Sequence, residues 1–329
     1  MTAAFVDLVD LASERLGGAV VAANDEFFAP KEQLIKAAAP VWREGEYTER
    51  GKWMDGWETR RRRDLGPDAH DWCIVRLGAR GIARGVDVHT AFFTGNYPES
   101  CAIDACDLAG NPPAKELLSA AWREILPRTP LKGDAHNLLA IDQAPAATHL
   151  RLRIYPDGGV ARLRVHGDVV ADWERLRRRG DVDLSAVVHG GTVVACSDMF
   201  YGSRHNLIMP GDATHMGDGW ETKRRRGPGH DWTIVRLGAA GTIRRVDVDT
   251  RHFKGNAPGA CSLDAVLLND GEPLEAAEWR ELLPRTALQP HARHAFEDEL
   301  GDVGIVTHAR LNIFPDGGIA RLRLFGRPR

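Results

Sequence analysis

The chain has few cysteines, almost no charge imbalance and no long apolar run, and each shortage excludes a class of protein. Its five cysteines among 329 residues include no Cys-x-x-Cys pair, which argues against a cysteine-rich zinc module and against a disulfide framework. A formal net charge of −3 gives no case for a nucleic-acid or membrane surface. No apolar stretch approaches the roughly 18 residues that a membrane helix needs.

These shortages predict a globular protein of the cytoplasm with reduced thiols and with neither nucleic acid nor membrane as a partner. The first residues, Met1 to Gly18, carry acids and no basic region, so they do not resemble a signal peptide. No nucleophile elbow, P-loop, dinucleotide fingerprint or His-Glu-x-x-His motif is present. Histidine and aspartate are numerous, but no spacing singles out a metal site. The sequence therefore assigns neither a metal nor another cofactor.

What is present is most of the chain twice over. The motif Gly-Trp-Glu-Thr at 56–59 recurs at 219–222, and His-Asp-Trp at 70–72 recurs at 230–232. The period is about half the chain, far longer than the roughly 20–50 residues of a solenoid repeat. The sequence therefore predicts two duplicated domains, 1–170 and 182–329, joined by a linker at 171–181.

The alignment of the two copies slips in register, and the slips locate loops. The offset is 173 residues between Asp25 and Asp198, but 160 between His70 and His230. Length changes of this kind are tolerated in surface connections and not inside strands. The residues that precede each His-Asp-Trp motif are therefore predicted to form a loop.

Alternation of apolar and polar residues predicts strands through most of each copy. The apolar residues of 150–154 alternate with polar ones before a Pro-Asp-Gly-Gly turn, and copy 2 repeats this pattern. Arg162 and Arg321 alternate with apolar residues in the same way and are predicted to lie on an exposed sheet face. Helical signal is confined to short tracts such as 117–125. We predict an all-β fold of two tandem antiparallel β-sandwich or jelly-roll domains with few short helices.

Two pairs of polar residues recur beside the predicted loops and are candidates for catalysis. Glu58 and Glu221 each lie between a Trp and a Thr, where hydrogen bonding at a turn is the alternative role. His70 and His230 each precede an aspartate, and a histidine beside a carboxylate suits acid–base chemistry near neutral pH. Adjacent strand residues point to opposite faces, so a structural role in the turn stays open for both histidines.

A basic run follows the Thr of each copy, and one arginine of each run is a candidate for binding an anion. Arg61 and Arg224 are the residues two positions beyond the Thr. Guanidinium groups pair bidentately with carboxylates. A nucleic-acid patch would need stacking aromatic residues, which do not accompany these runs. A solvated loop is the alternative role.

Two further pairs of polar residues are candidates for substrate binding. Asn96 and Asn256 lie in Gly-Asn-x-Pro turns, and an asparagine amide offers both a donor and an acceptor to a urea-like group. Arg128 and Arg285 lie in the repeated motif Leu-Pro-Arg-Thr. Turn formation alone is the alternative explanation for the asparagines.

Together, these motifs resemble the allantoicase family, the allantoate amidinohydrolases. The resemblance rests on Gly-Trp-Glu-Thr with its basic run, on His-Asp-Trp-x-Ile-Val-Arg-Leu-Gly, and on Val-Asp followed by Phe-x-Gly-Asn-x-Pro. Both copies carry these motifs in the same order, from about residue 10 to residue 326. Membership would imply hydrolysis of allantoate to ureidoglycolate and urea, two jelly-roll repeats of the galactose-binding-like type, and a homo-oligomer such as a hexamer.

The resemblance also implies roles for the retained residues. Allantoate carries a carboxylate on a carbon with two ureido groups, so its hydrolysis needs a carboxylate-binding group, a proton for the leaving nitrogen and an activated water. We hypothesise that His70 or His230 is the acid–base group. One of the glutamates would orient the water or a ureido N–H, and one of the arginines at 61 and 224 would bind the carboxylate.

Differences between the copies bear on the number of sites. His89 corresponds to Asp249, and Arg153 corresponds to Asn312. One active and one vestigial site, or a single site formed by both copies, are both compatible with the sequence. The alternative function is a non-catalytic tandem β-sandwich that binds carbohydrate, which would carry exposed aromatic residues at its loop tips.

Overall fold

The computed structural model describes residues 4–64, 66–269 and 271–329, and the chain divides into two compact units, Met1–Val170 and Ala171–Arg329. The segment 171–181, predicted as a linker, falls in the second unit and contains the helix Trp173–Arg177. No helix in the described part of the chain is long and apolar enough to cross a membrane.

The first unit consists mainly of antiparallel strands with short helical turns between them. Its described strands, β1 to β12 in chain order, are Val9–Asp10, Ala19–Ala23, Tyr47–Thr48, Gly51–Lys52, Trp57–Glu58, Asp71–His89, Ser100–Cys106, Arg123–Pro130, His136–Ala140, Ala147–Tyr155, Gly159–Val160 and Arg162–Val169. Its helices are the 3-10 turns Ala4–Asp7, Glu14–Leu16 and Lys31–Ile35 and the α-helix α1, Ala114–Leu118.

The second unit also consists mainly of antiparallel strands with short helical turns between them. Its described strands, β13 to β22, are Val182–Asp183, Thr192–Cys196, Trp220–Glu221, Asp231–Asp249, Ala260–Val266, Arg280–Ala287, Arg293–Phe296, Val306–Phe314, Gly318–Ile319 and Arg321–Pro328. Its helices are α2, Trp173–Arg177, and the 3-10 turns Val187–His189, Arg204–Ile208, Met216–Asp218 and Leu274–Ala276.

The strands of the first unit form two layers, and the long strand β6 runs through both of them. Its first part pairs with β2 and β10, and its last part pairs with β9 and β12. Strands β7 and β8 extend the first layer beyond β10, and β1 extends the second layer beyond β12. Gly81 lies where the layers diverge, and a Cβ there would be 2.6 Å from the carbonyl oxygen of Asp168. Only glycine allows this close approach.

The core of the first unit lies between the two layers. Inward side chains of the first layer, such as Val75 and Leu152, share one buried cluster with those of the second layer, such as Val88 and Leu163. Alternate residues of a strand face the same side, which is why the two-residue period of the sequence marks this core. Two facing sheets of this kind form a β-sandwich.

The second unit repeats this arrangement around its own 19-residue strand, β16. The first part of β16 pairs with β14 and β20, and the last part pairs with β19 and β22. The prediction of an all-β fold, with two tandem antiparallel sandwich domains and few short helices, is confirmed.

The helix predicted across 117–125 is wrong beyond its first residues. Helix α1 ends at Leu118, and Arg123 already begins strand β8. Strand β8 pairs along β7 at the edge of the first layer. Sheet pairing supplies backbone hydrogen bonds that outweigh the local helical pattern.

The exposed positions predicted for Arg162 and Arg321 are also wrong. The two residues are only 1% and 4% exposed. Arg162 Nη2 lies 2.8 Å from Asp55 Oδ2, and Arg321 Nη2 lies 3.1 Å from Asp218 Oδ2. Burial of an arginine is tolerated when its guanidinium is paired, and alternation along a strand does not reveal such a distant partner.

Candidate active site

Alternate residues of the first basic run are held by buried or half-buried carboxylates. Arg60 Nε donates to Asp25 Oδ2 over 2.6 Å. Arg62 Nη1 donates to Asp71 Oδ1 over 2.6 Å. The second unit repeats the second contact, between Arg225 and Asp231. These side chains fix the loop to the sheet and are therefore committed to the fold.

The intervening arginines have no partner in the part of the chain that the structure describes. Arg61 and Arg63 of the first unit, and Arg224 and Arg226 of the second, are exposed or half-exposed and make no hydrogen bond or ion pair with any other described residue. An extended chain directs successive side chains to opposite sides, so each run presents one set inward and one set outward. The two arginines predicted to bind an anion, at positions 61 and 224, are therefore among the outward ones without a partner.

Each predicted glutamate accepts a hydrogen bond from the predicted asparagine of its own unit. Asn96 Nδ2 donates to Glu58 Oε1 over 2.7 Å, and Asn256 Nδ2 donates to Glu221 Oε1 over 2.6 Å. The carbonyl of Asn96 also accepts the N–H of Gly159, over 2.8 Å. Folding thus brings together the Trp-Glu-Thr motif, the Gly-Asn-x-Pro turn and the Pro-Asp-Gly-Gly turn.

In the second unit these residues line a cavity of about 460 Å³. Glu221, Arg224 and Asn256 form part of its wall, together with Arg226 and Tyr201. The volume lies within the range of roughly 300–1,000 Å³ that is typical of small-molecule sites. The wall therefore presents a carboxylate, an amide and two unpaired guanidinium groups to one space.

The two glutamates differ in their surroundings. Glu58 is 8% exposed, and burial raises the pKa of its carboxyl, although the hydrogen bond from Asn96 lowers it. Glu221 is half-buried and borders the cavity. The position of Tyr201 is taken by Phe28 in the first unit, and the backbone N–H of each donates to the carbonyl of the glutamate in its own unit. A phenol group is therefore present at this position in the second unit alone.

The predicted histidine and the Leu-Pro-Arg-Thr arginine of the second unit meet at a different point. The ring of His230 lies 4.7 Å from that of Phe314, and Arg285 Cζ lies 4.2 Å from the same ring. Nε2 of His230 is 3.3 Å from Oδ1 of Asn312. Neither His230 nor Arg285 lines the cavity, but Phe314 directly precedes Pro315, which does.

The first unit has the same arrangement around Tyr155. The ring of His70 lies 5.3 Å from that of Tyr155, and Arg128 Cζ lies 4.3 Å from it. Arg128 also donates to Ser100 Oγ over 2.8 Å and to the carbonyl of Pro67 over 3.0 Å. The structure therefore separates the sequence candidates into a Glu–Asn–Arg group and a His–aromatic–Arg group.

Comparison with known proteins shows the relationship of the whole chain. The family model described as allantoicase repeat matches residues 9–170 and again residues 182–329. The chain is 51% identical to the "probable allantoicase" of Pseudomonas paraeruginosa, over 99% of this chain and 98% of that protein. It is 49% identical to that of Photobacterium profundum, over 98% and 97% of the two chains. The chain belongs to the allantoicase family.

A solved allantoicase has the same fold. The crystal structure of the protein from Saccharomyces cerevisiae superposes with a TM-score of 0.83 at 34% identity, over 97% of this chain and 92% of that one. The family resemblance predicted from the duplicated motifs is confirmed. The Glu–Asn pair and the free arginines occur in both allantoicase repeats.

Three residues at the cavity of the second unit are not marked by the sequence. Asp316 belongs to the Pro-Asp-Gly-Gly turn, and its Oδ2 accepts the backbone N–H of Arg225 over 2.8 Å. Arg226 is indistinguishable from its neighbours in the basic run, and Tyr201 corresponds to Phe28 in the other copy, so repetition does not mark its phenol group. The described residues contain one cluster of metal-ligand type, formed by Asp87, His89 and His136, and none of its members lines the cavity.

Proposed function

We propose that this member of the allantoicase family hydrolyses allantoate to ureidoglycolate and urea at the cavity of its second unit. The observation that carries the proposal is the convergence of Glu221, Asn256 and the unpaired Arg224 on one wall. Family membership makes this hydrolase function preferable to a carbohydrate-binding module. The arginine of the cavity suits the carboxylate of a ureido acid, and the glutamate and the asparagine suit its ureido N–H and C=O groups.

The reaction replaces one ureido group of allantoate by a hydroxyl. The bond between the central carbon and one ureido nitrogen breaks, and the oxygen of water bonds to that carbon. The leaving nitrogen takes a proton and departs as urea, while the attacking water gives up a proton. One side chain must therefore donate a proton and one must accept a proton.

Arg224 binds the substrate carboxylate in this proposal. Its guanidinium lies at the cavity and has no partner among the described residues, so no internal ion pair must break when substrate arrives. A guanidinium holds a carboxylate through two parallel hydrogen bonds. Arg226 adds a second positive charge to the same wall and favours an anionic substrate.

Glu221 is the acid–base group that contacts the ureido nitrogen or the water. Its Oε1 atom is occupied by the amide of Asn256 at 2.6 Å, which leaves Oε2 for the substrate side. A carboxylate held in this way is oriented before the reaction begins, which is the condition for an effective proton transfer. Asn256 is therefore a positioning residue for Glu221.

His230 remains the candidate for the second proton-transfer group, and Arg285 for a further contact to the substrate. Support comes from their shared contact with Phe314, which adjoins the cavity residue Pro315. An imidazole can either donate or accept a proton, whereas an ionised carboxylate can only accept one. The contact of His230 with Asn312 orients its ring.

We assign most of the activity to the second unit. Glu58 is almost completely buried, whereas Glu221 reaches a cavity, so the second carboxylate is the better placed of the two to meet a substrate. The corresponding residues of the first unit are Glu58, Arg61, Asn96, His70 and Arg128. They are proposed to have a weaker role in catalysis.

We further propose a cytoplasmic homo-oligomer such as a hexamer. The family resemblance supports the oligomer, and the five cysteines, all present as free thiols, support a reducing compartment. The prediction that nucleic acid is not a partner rests on the net charge and on the lack of stacking aromatic residues in the basic runs. Light scattering after size exclusion tests the oligomer, and a single species of 36.2 kDa would contradict it.

Incubation with allantoate, followed by a urea assay, tests the proposed reaction. We expect one urea for each allantoate consumed, and urea release that is slower by about 10²-fold or more from a Glu221→Gln variant under the same conditions. The assay is run on protein treated with chelator and on protein resupplied with divalent ions. Absence of urea under both conditions would contradict the proposed function.

A further inference from the structure

The outer face of the first unit carries two histidines and an aspartate side by side. Asp87 and His89 lie two residues apart on β6 and therefore on one face, and His136 on β9 is the Cα partner of His89. His136 Nδ1 lies 2.6 Å from Asp87 Oδ2, and the two imidazole rings stack with their centroids 3.7 Å apart. One ligand atom from each residue lies within 4.8 Å of the other two.

Asp87 has an unused hydrogen-bonding atom in this cluster. The residue is 6% exposed, and its Oδ1 is buried without a hydrogen-bond partner among the described residues. Burial of a carboxylate oxygen without a partner is unfavourable. The imidazole of His89 likewise makes no hydrogen bond to another described residue. The cluster therefore contains an unused carboxylate oxygen beside an unused imidazole.

In the second unit, an arginine side chain takes the place of one of the two histidines. Asp249 and Arg293 are Cα partners there, as His89 and His136 are in the first unit. Nε of Arg293 lies 3.4 Å from Asp249 Oδ2, so a guanidinium neutralises the carboxylate. The first unit has the carboxylate of Asp87 but two imidazoles in place of this ion pair.

We propose that Asp87, His89 and His136 bind a divalent first-row transition-metal ion, with Zn²⁺ as the best-matched ion. Two imidazole nitrogens and one carboxylate oxygen form an accepted zinc ligand set, and three protein ligands leave a position for water. The side chain of His136 is 63% exposed, which gives the ion a direct entry path from solvent. The site shares no residue with the cavity of the second unit.

Two arginines lie near this site but are engaged elsewhere. Arg162 and Arg164 of β12 pair with His89 and Asp87, so they lie on the same face and their charges oppose a cation. Arg162 is paired with Asp55 at 2.8 Å. Arg164 lies 3.6 Å from Asp10 and donates to carbonyl oxygens of residues 35–37. Asp87 is thus left without an arginine partner among the described residues, and its charge is available to a metal ion.

Metal titration of the full chain tests the proposal. Protein stripped with chelator is expected to bind one Zn²⁺ per chain and to gain thermal stability on binding, and Co²⁺ is expected to give a visible absorption band. His136→Ala removes an exposed ligand without disturbing the core, and it should weaken Zn²⁺ binding by about 100-fold or more. His215→Ala, at an exposed histidine of the second unit, is the matched control and should bind as the wild type does.

A second variant separates folding from binding. His89→Asp combined with His136→Arg installs the ion pair of the second unit, and it should unfold at the wild-type temperature without metal while no longer binding Zn²⁺. Wild-type protein that binds Zn²⁺ no more tightly than His136→Ala would overturn the proposal. So would full Zn²⁺ binding by the double variant.

Discussion

The side-chain amide of Asn256 donates a hydrogen bond of 2.6 Å to Oε1 of Glu221, at the wall of the cavity in the second unit. The bond joins two motifs that are far apart in the chain. It occupies one oxygen of the carboxylate, and the other oxygen makes no hydrogen bond to the described residues. A catalytic group that is oriented in advance has less freedom to lose during the reaction.

Replacement of Glu221 by Gln is expected to lower kcat/KM for allantoate by about 10²- to 10⁴-fold, because the variant cannot transfer a proton. Gln keeps the shape of the side chain and can still accept the bond from Asn256. Glu58→Gln is the matched control and should leave kcat/KM nearly unchanged. Equal losses in both variants, measured by urea release, would show that the two units share the activity.

Loss of the guanidinium of Arg224 is expected to weaken substrate binding. A hydrogen-bonded charge pair contributes about 1.5–3 kcal/mol, so Arg224→Ala should raise KM by roughly 10- to 100-fold at an unchanged circular dichroism spectrum. Arg61→Ala gives the comparison in the first unit. An unaltered KM in Arg224→Ala would move the carboxylate site to another residue.

His230→Ala tests the histidine predicted from sequence as an acid–base group. If His230 transfers a proton, kcat/KM should fall by about 100-fold or more and the pH profile should lose one of its limbs. His70→Ala is the equivalent change beside Tyr155 and should have little effect. Wild-type kinetics in both variants would eliminate the histidines from the mechanism.

The buried pair of Arg162 and Asp55 is expected to be important for stability. Arg162→Met leaves the Asp55 carboxylate buried without its arginine, and breaking such a pair lowers the free energy of unfolding by about 3–5 kcal/mol. Guanidinium chloride unfolding measures the change. The exposed change Arg61→Ala is the control and should stay within about 0.5 kcal/mol of the wild type. A similarly small effect of Arg162→Met would contradict the importance of the pair.

Glu58 is expected to make the first unit sensitive to pH. Burial raises the pKa of its carboxyl above the ordinary value of 4.5. A carboxyl whose pKa is raised by folding stabilises the native state below its unfolded pKa, and this contribution is lost as the pH rises through the folded pKa. The stability of the wild type relative to Glu58→Gln should therefore decline as the pH rises above the ordinary pKa of 4.5. Thermal unfolding of both proteins measures this difference, and a constant value across the range would rule out the effect.

The strands and the duplication could be read from the chain because both leave local traces. The alternation around Leu152 marks a strand with one face in the core. The same alternation gives a wrong prediction of exposure at Arg162. A period of two shows which residues lie on the same face of a strand, but not whether other residues cover that face. The partner, Asp55, lies in a different segment.

The members of the candidate site could be predicted only in part. Repetition marked Glu221, Asn256 and the basic run, because each occurs in both copies. It marked His230 equally, although the structure places this residue beside Phe314 and outside the cavity wall. Tyr201 occurs in one copy only, so repetition could not reveal it.

The sequence by itself determined the all-β class, the two tandem units and the family, since periodicity and repeated motifs are properties of neighbouring residues along the chain. Tertiary structure alone decided which arginines of each basic run are held and which are free. That choice depends on carboxylates such as Asp25 and Asp71, which lie outside the run and which folding brings to it. It also decided that Glu221 meets Asn256, because a hydrogen bond between distant turns has no fixed spacing in the sequence.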